Sequence, residues 1–430
     1  MSWWFKIKLW QRVLVALILG VVFGLLISNT MGEAGAVWLE TWVRPVGALF
    51  IDLIRMLIVP LIMFTLVSGV IAMGDPARLG SLGAKTLILY LATTFFANII
   101  GLIVGTIMRP GEGIDFGTTD PAPVPDASGG IFDAILTALG TFLNIVPDNI
   151  VAALADGDVL AIILVALLIG AAVLATRSEG ASFGAFFESG SSVFLKITHW
   201  VMEIAPFGVF ALVSHTVATQ GLETLQAILT LIGAVYLGLI IHMVITYGFL
   251  VRFVLNLPLI RFFRGILDAQ AVAYSTASSS ATLPVTITNA TDNLGIKKPV
   301  AGSVLPLGAT INMDGTALYL GILALFTAQA FGYELTLANY ILIAVTAAAV
   351  SIGAAGIPSA SLFLLATVLN TFGVSVEHQA LILGLILPVD RIMDMARTAV
   401  NVTGDAAVAT AVAKWEGELD EETFKTPAVI

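Results

Sequence analysis

Near the end of the chain, residues 390–405 read DRIMDMARTAVNVTGD, placing Asp390, Asp394, Arg397, Thr398, Asn401 and Asp405 in an otherwise apolar run. On a helix advancing about 100° per residue these six fall within an arc of roughly 100°, forming one polar stripe. Ionisable groups at membrane depth are costly and face a protein interior or a wet cavity, where they bind substrate, bind ions or pair with one another. Arg397 is the cation there able to grip a carboxylate with two parallel hydrogen bonds. Asp394, one turn away, can accept an ammonium, and Thr398 and Asn401 offer hydrogen bonds to an α-carboxylate. Simple i,i+3 pairing of Asp394 with Arg397 is the plain structural alternative, and it leaves Asp390 and Asp405 without a purpose. Together the groups suit a zwitterion with an extra side-chain carboxylate, aspartate or glutamate.

Three further polar interruptions precede the stripe. In TINMDGT (310–316), Asn312 and Asp314 sit inside the apolar run 300–331, and Asp314 has no cation near it in sequence. A buried carboxylate must then be protonated or meet a metal ion. Gly315 can let the helix unwind and expose carbonyls, oxygen ligands of the kind hard cations favour. The carboxylate density is too low for a calcium loop, so sodium is the natural inference, with a structural polar pair as the alternative. In STASSSATLP (275–284), Ser275, Thr276, Ser278, Ser279, Ser280 and Thr282 crowd eight positions. One hydroxyl bonding back to its own helix would mean nothing, but amides at a helix N-terminus behind such a cluster suit an anionic carboxylate. SIGAAGIP (351–358) has Gly353, Gly356 and Pro358, a pattern that serves a swinging gate or plain helix packing.

These motifs need elements to hold them. A chain of 430 residues that is 58% hydrophobic and 11% charged, with mean hydropathy +1.00, is a polytopic membrane protein. Apolar runs at about 9–28, 37–73, 85–108, 130–175 (broken), 190–217 and 224–255 are of spanning length, the second long enough to require tilting. The first, 13–27 behind Lys6, Lys8 and Arg12, is read as a transmembrane helix rather than a signal peptide. Arg78 and Lys85, Arg177, and Arg261 with Arg264 follow the second, fourth and sixth runs, whereas 111–126 carries Glu112, Asp115, Asp120 and Asp126 with no Lys or Arg. That alternation predicts six crossings from a cytoplasmic N-terminus. Beyond Arg264 the serine-rich and glycine-rich motifs each sit midway in a segment of about 35 residues. Proline and competing hydroxyls break helices there, and broken backbone at that depth must lie in protein or water. Both are read as re-entrant helical hairpins, giving the order hairpin, broken helix, hairpin, polar helix. Interrupted segments at matching positions of two halves predict a transporter of inverted repeats binding its cargo at the midplane.

Composition also excludes. Zero cysteines rule out disulfides and thiolate metal sites, and His199, His215, His242 and His378 show no ligand spacing and are read as ordinary helix or loop residues. The net charge of −10 resides largely in loops, the stripe and the acidic tail from Glu416, read as solvated and disordered, so no nucleic-acid partner is expected. An ion channel would need polar rings along a continuous pore. An intramembrane enzyme finds no histidine or serine–lysine dyad near the acids.

SSSATLP, NMDGT, AAGIP and DMARTAVNVTGD, in this order and spacing, resemble the dicarboxylate/amino acid:cation symporters, which include archaeal aspartate transporters and excitatory amino acid transporters. The resemblance covers essentially the whole chain. It implies an all-α fold of eight transmembrane helices plus two re-entrant hairpins, assembled as a homotrimer in the lipid bilayer of the cell inner (plasma) membrane, both termini cytoplasmic. It further implies scaffold helices 1–2 over 1–80, helix 3 and an external loop over 81–129, scaffold helices 4–5 over 130–222 and helix 6 over 223–257. A transport core over 258–414 would move like an elevator, and 415–430 would form the acidic cytoplasmic tail. By motif, the substrate would meet Arg397 at its side-chain carboxylate and Asp394 at its ammonium. Asn401, Thr398 and the Ser279 backbone would surround its main-chain carboxylate, Thr316 would add a contact, and Ile357 of the second hairpin, the external gate, would close over it. One sodium would take Asp405 with carbonyls of Gly308, Asn312 and Asn401. A second would take carbonyls of Thr310, Met313, Ser351, Ile352 and Ala354, and a third Tyr90, Thr93, Thr94, Asn312 and Asp314. Where the family carries an arginine, at the first hairpin tip or beside the ammonium-binding acid, this chain has Ala277 and Met395; it has Arg391 instead, one turn before Met395 and able to reach the same space. The expected function is import of L-aspartate and/or L-glutamate with sodium; proton coupling and C4-dicarboxylate transport are the alternatives.

Overall fold

Hydropathy this high, with small residues at helix contacts, leaves the backbone to satisfy itself internally, and the described residues are helical with no strand among them. The computed structural model describes residues 7–72, 76–114, 140, 145–220, 223–353 and 360–426. The acidic loop beyond Ile114, the first part of the fourth apolar run, and Ala354 and Ile357 of the second hairpin lie outside them.

The N-terminal elements are α1 (Leu9–Trp42), α2 (Arg44–Ala72), α3 (Pro76–Met108), α4 (Ile150–Asp156), α5 (Val159–Thr176), α6 (Ala181–Met202), α7 (Ala205–Gln220) and α8 (Glu223–His242). The α1–α2 boundary differs from the hydropathy reading: α1 runs on through residues 37–42, past a break at Gly32 (φ 54°), and α2 starts at Arg44. Pro45 in the first turn explains the start, because that turn leaves its N–H groups unbonded in any case. The run 190–217 is likewise not one straight helix, since α6 and α7 meet at a 48° bend. Pro206 sits in the first turn of α7, and Arg12 of α1 holds Glu203 at the bend through hydrogen bonds of 2.6 and 3.1 Å. α1 packs along α7 with glycine at the contact: a Cβ on Gly24 would lie 2.6 Å from the Ser214 carbonyl oxygen.

The C-terminal elements are α9 (Leu259–Gly265), α10 (Leu267–Thr276), α11 (Ser279–Thr288), α12 (Lys298–Ile311), α13 (Asp314–Phe331), α14 (Leu337–Ser351), α15 (Ala360–Asn370), α16 (Val376–Trp415) and α17 (Glu421–Lys425). α10 and α11 fold back on one another across Ala277 and Ser278, where Ala277 takes a left-handed conformation (φ 52°) and Ser278 caps α11 through the Ala281 amide. α14 and α15 pack together in the same way. Among the described residues the order is therefore helix pair, broken helix, helix pair, long polar helix.

Five helical stretches among the described residues are long and apolar enough to cross a bilayer, six with the bent pair α6–α7. Burial ranks them. Within its most apolar window the α12–α13 stretch is 94% buried and the α1–α2 stretch only 22%, so the broken helix forms the centre and the N-terminal pair the periphery. Around that centre pack α3, α8, α10 and α11, α14 and α15, and α16.

The acidic tail is not a solvated run. Leu419 pairs with Ile296, the Lys297 amide donates to the Glu418 carbonyl, the Asp420 amide donates to the Gly295 carbonyl, and Phe424 of α17 is fully buried. One aromatic in an acidic segment is a weak sequence signal, but its burial against α9 and the 289–297 turn orders the segment through Thr426.

Candidate functional site

α16 is 40 residues long, begun by Ser375, whose hydroxyl accepts from the His378 amide. It carries the stripe through the centre of the molecule, and Asp390, Asp394, Arg397, Thr398, Asn401 and Asp405 are all buried. Arg397 Nη1 donates to Asp390 Oδ1 at 3.1 Å and Nη2 to Asp394 Oδ1 at 2.8 Å. Its guanidinium lies over the Tyr319 ring, Cζ 3.8 Å from the centroid, and the Tyr319 hydroxyl donates to Asp390 Oδ1 at 2.6 Å. The i,i+3 pair is thus present, yet it is half of a larger arrangement in which Asp390, unassigned by sequence, orients Arg397. Arg397 Nε and Asp390 Oδ2 are buried without a hydrogen-bond partner. Thr398 donates its hydroxyl back to the Asp394 carbonyl at 2.8 Å.

Arg391, also buried, reaches the first hairpin: Nη2 donates to the Thr276 carbonyl at 3.0 Å, next to Ala277. Its Nε and Nη1 have no partner. Ser279, first residue of α11, is buried. Two guanidiniums with spare N–H donors stand beside two carboxylates, a locally neutral group whose unsatisfied buried donors, each costing about 1–3 kcal/mol, an anionic group can satisfy.

The second half of the site is the break between α12 and α13. Asn312 (φ −87°, ψ 85°) and Met313 (φ −113°, ψ 52°) leave the helix, with their amides still donating to the Gly308 and Ile311 carbonyls and the Met313 carbonyl accepting from the Ala317 amide. Asn312 Nδ2 donates to Asp405 Oδ1 at 3.0 Å, and a Cβ on Gly308 would lie 2.4 Å from both Asp405 Oδ1 and the Tyr90 hydroxyl, so Gly308 is glycine because these oxygens crowd it. The Gly315 amide donates to Asn401 Oδ1 at 2.8 Å, and Asn401 Nδ2 points at Met313 Sδ, 3.2 Å away. Thr94 Oγ1 donates to Asp314 Oδ1 at 2.6 Å, and Thr93 Oγ1 to Asn312 Oδ1 at 3.4 Å. Thr316, one residue past Gly315, is buried.

The comparisons with known proteins bear on this arrangement directly. Residues 9–415 match the sodium:dicarboxylate symporter family. The chain belongs to that family. Among its relatives are the proton/sodium-glutamate symport protein of Bacillus subtilis (strain 168), 35% identical over 98% of this chain and 96% of the relative. Another is the proton/glutamate-aspartate symporter of Escherichia coli (strain K12), 35% identical over 97% and 95%. A third is the C4-dicarboxylate transport protein of Anaeromyxobacter sp. (strain K), 34% identical over 96% and 92%. This is a family of transporters, not of enzymes.

For this symporter family member, the fold gathers Asp405, Gly308 and Asn312 in one cluster, and Thr93, Thr94, Asn312 and Asp314 in an adjoining one bordered by Tyr90; Asn401 instead meets the Gly315 amide and Met313 Sδ. The set Thr310, Met313, Ser351 and Ile352 is not drawn together by any hydrogen bond among the described residues. Thr310 back-bonds to the Leu307 carbonyl, Ser351 to that of Ala348. Two residues escaped the sequence reading. His242 and Tyr247 of the sixth apolar run are fully buried and face Asp314 Oδ2, with Nε2 at 3.3 Å and the hydroxyl at 2.7 Å. Read from sequence as an ordinary helix residue, His242 instead lies against a buried acid. Asp314 has a polar neighbour after all, and the available signal was a lone imidazole inside an apolar span.

Proposed function

We propose that the protein is a secondary symporter importing L-aspartate and/or L-glutamate across the plasma membrane, driven by sodium ions. The observation that carries this is the pairing, on one buried face of α16, of Arg397 with Asp394 one turn away, flanked by Asn401. A substrate's side-chain carboxylate takes Arg397, its ammonium takes Asp394, and Asn401 turns Nδ2 from a thioether, a weak acceptor, to the main-chain carboxylate. Ser279, Thr316 and Thr398 border that space, and Ile357 closes it. A substrate without an ammonium places an anion against Asp394, which weighs against C4-dicarboxylates. One without a side-chain carboxylate leaves Arg397 with no new partner.

Sodium is favoured because the oxygens about Asp405 and Asp314 are few, hard and largely uncharged, suiting a monovalent ion. Among the described residues no three His, Asp or Glu side chains form a metal-ligating group. Asn401 lies on the substrate face and also holds the Gly315 amide beside Asp314, so ordering it for one ligand prepares it for the other, a coupling that is reciprocal by necessity. In the same proposal Thr310, Met313, Ser351, Ile352 and Ala354 supply a further sodium site when the second hairpin closes. Eight spans and two re-entrant hairpins in a homotrimer, with residues 258–414 as the moving core, complete it.

Uptake of labelled aspartate, glutamate and succinate into proteoliposomes tests this reading. Aspartate or glutamate is expected to accumulate under a sodium gradient alone. Accumulation under a proton gradient without sodium overturns the ion assignment in favour of proton symport, and preference for succinate overturns the amino-acid assignment.

A further inference from the structure

Asp314 is held from two sides, and the second side comes from α8. A carboxylate offers about four lone-pair positions, two per oxygen. The Tyr247 hydroxyl and His242 Nε2 occupy both positions on Oδ2, while Thr94 occupies one on Oδ1. One position on Oδ1 is left, on the oxygen that Thr94 holds. Thr246 Oγ1 lies 3.0 Å from His242 Nδ1, so a hydroxyl donating there leaves the ring proton on Nε2, aimed at Asp314.

The backbone is built for this contact. Positions i and i+5 on an α-helix lie about 140° apart and cannot share a target. Met243–Tyr247 is instead a π turn, closing i to i+5, and it brings residues 242 and 247 onto one face with their rings edge-to-face, centroids 4.7 Å apart. Opposite them a Cβ on Gly404 would lie 2.5 Å from the Tyr247 hydroxyl and 2.7 Å from Asn312 Nδ2, so Gly404 of α16 clears the space Tyr247 occupies.

We infer that His242 and Tyr247 are positioning residues of the Asp314 cation site: they fix Oδ2 so that the remaining lone pair of Oδ1 is presented to sodium. The inference rests on the sodium reading above. Neither side chain touches the substrate groups of α16, the Tyr247 hydroxyl reaching that helix only at the Val400 carbonyl, 3.4 Å away, so at saturating sodium their removal leaves aspartate binding unchanged.

The test uses full-length protein in proteoliposomes with Tyr247→Phe, His242→Leu and His242→Gln, the last keeping an amide N–H. For each, the sodium concentration giving half-maximal aspartate uptake is measured, and separately the aspartate KM at saturating sodium. Tyr247→Phe and His242→Leu are expected to raise half-saturating sodium about ten-fold, the scale of one hydrogen bond to a charged group, with aspartate KM within about two-fold. His242→Gln is expected to recover most of the loss. Unchanged half-saturating sodium in a sodium-dependent protein overturns the inference and leaves the sodium reading standing. A parallel rise in aspartate KM at saturating sodium also overturns it, as the mark of general damage. A wild-type protein indifferent to sodium overturns both. Tyr247→Phe, which removes only an oxygen, carries the test should His242→Leu fail to fold.

Discussion

Arg397 concentrates the chemistry of this molecule in one side chain, fully buried between two acids and over an aromatic face. Arg397→Cys is expected to abolish uptake of acidic amino acids and admit neutral ones, because the ligand's side-chain carboxylate loses its partner. It also strips Asp390 and Asp394 of their cation, at a cost of about 3–5 kcal/mol to the fold. Aspartate affinity measured by sodium-dependent binding, if retained, would sink the assignment. Arg391→Met removes the donor to the Thr276 carbonyl at the hairpin turn. Substrate affinity is expected to fall roughly ten-fold, and unchanged affinity and rate would show that the contact is only structural. That these groups share one buried face was legible from residue types on one helical arc. The role of Asp390 was not, since both Arg391 and Arg397 were within reach by spacing, and the choice is made by Tyr319, 71 residues away in sequence.

At the scale of elements, the interruptions in 275–284 and 310–316 fall at Ala277–Ser278 and Asn312–Met313, where a serine cluster and an Asn-Met-Asp-Gly run compete with helical hydrogen bonding, while Pro284 is carried inside α11. The tail failed that kind of reading, since its order comes from docking rather than from local preference. Phe424→Ala is expected to release residues 418–426 from the 289–297 turn, at a cost of about 3–5 kcal/mol, seen as faster amide exchange and protease cleavage confined to the tail. The contact also responds to acid. Hydrogen bonds from Thr423 hold the Asp420 carboxyl below its ordinary value, and those from Lys414 and Lys425 do the same for Glu421. A carboxyl depressed in the folded state adds stability above its unfolded pKa, lost as pH falls through the folded value. The tail is therefore expected to stay docked at neutral pH and loosen only below about pH 4, where exchange would rise.

For the whole molecule, buried polar clusters from α3, α8, α12, α13 and α16 meet at one centre, so ligands there stabilise the fold by mass action. Sodium and aspartate together, each near a hundred times its Kd, are expected to raise stability by about 2.7 kcal/mol per bound ligand, read as a higher Tm; no change on removing sodium would count against sodium sites. By itself the sequence determined that this is a helical membrane transporter with broken helices and a charged stripe. Hydrophobic runs, helix breakers and the angular spacing of polar residues are local properties, readable without knowing what packs against them. Only the tertiary structure decided which groups each buried acid meets. Thr94, Tyr247 and His242 reach Asp314 from 220, 67 and 72 residues away, and Tyr319 reaches Asp390 from 71. A buried charge accepts whatever donor the packing of separate helices brings within hydrogen-bond distance, and no local pattern encodes that meeting.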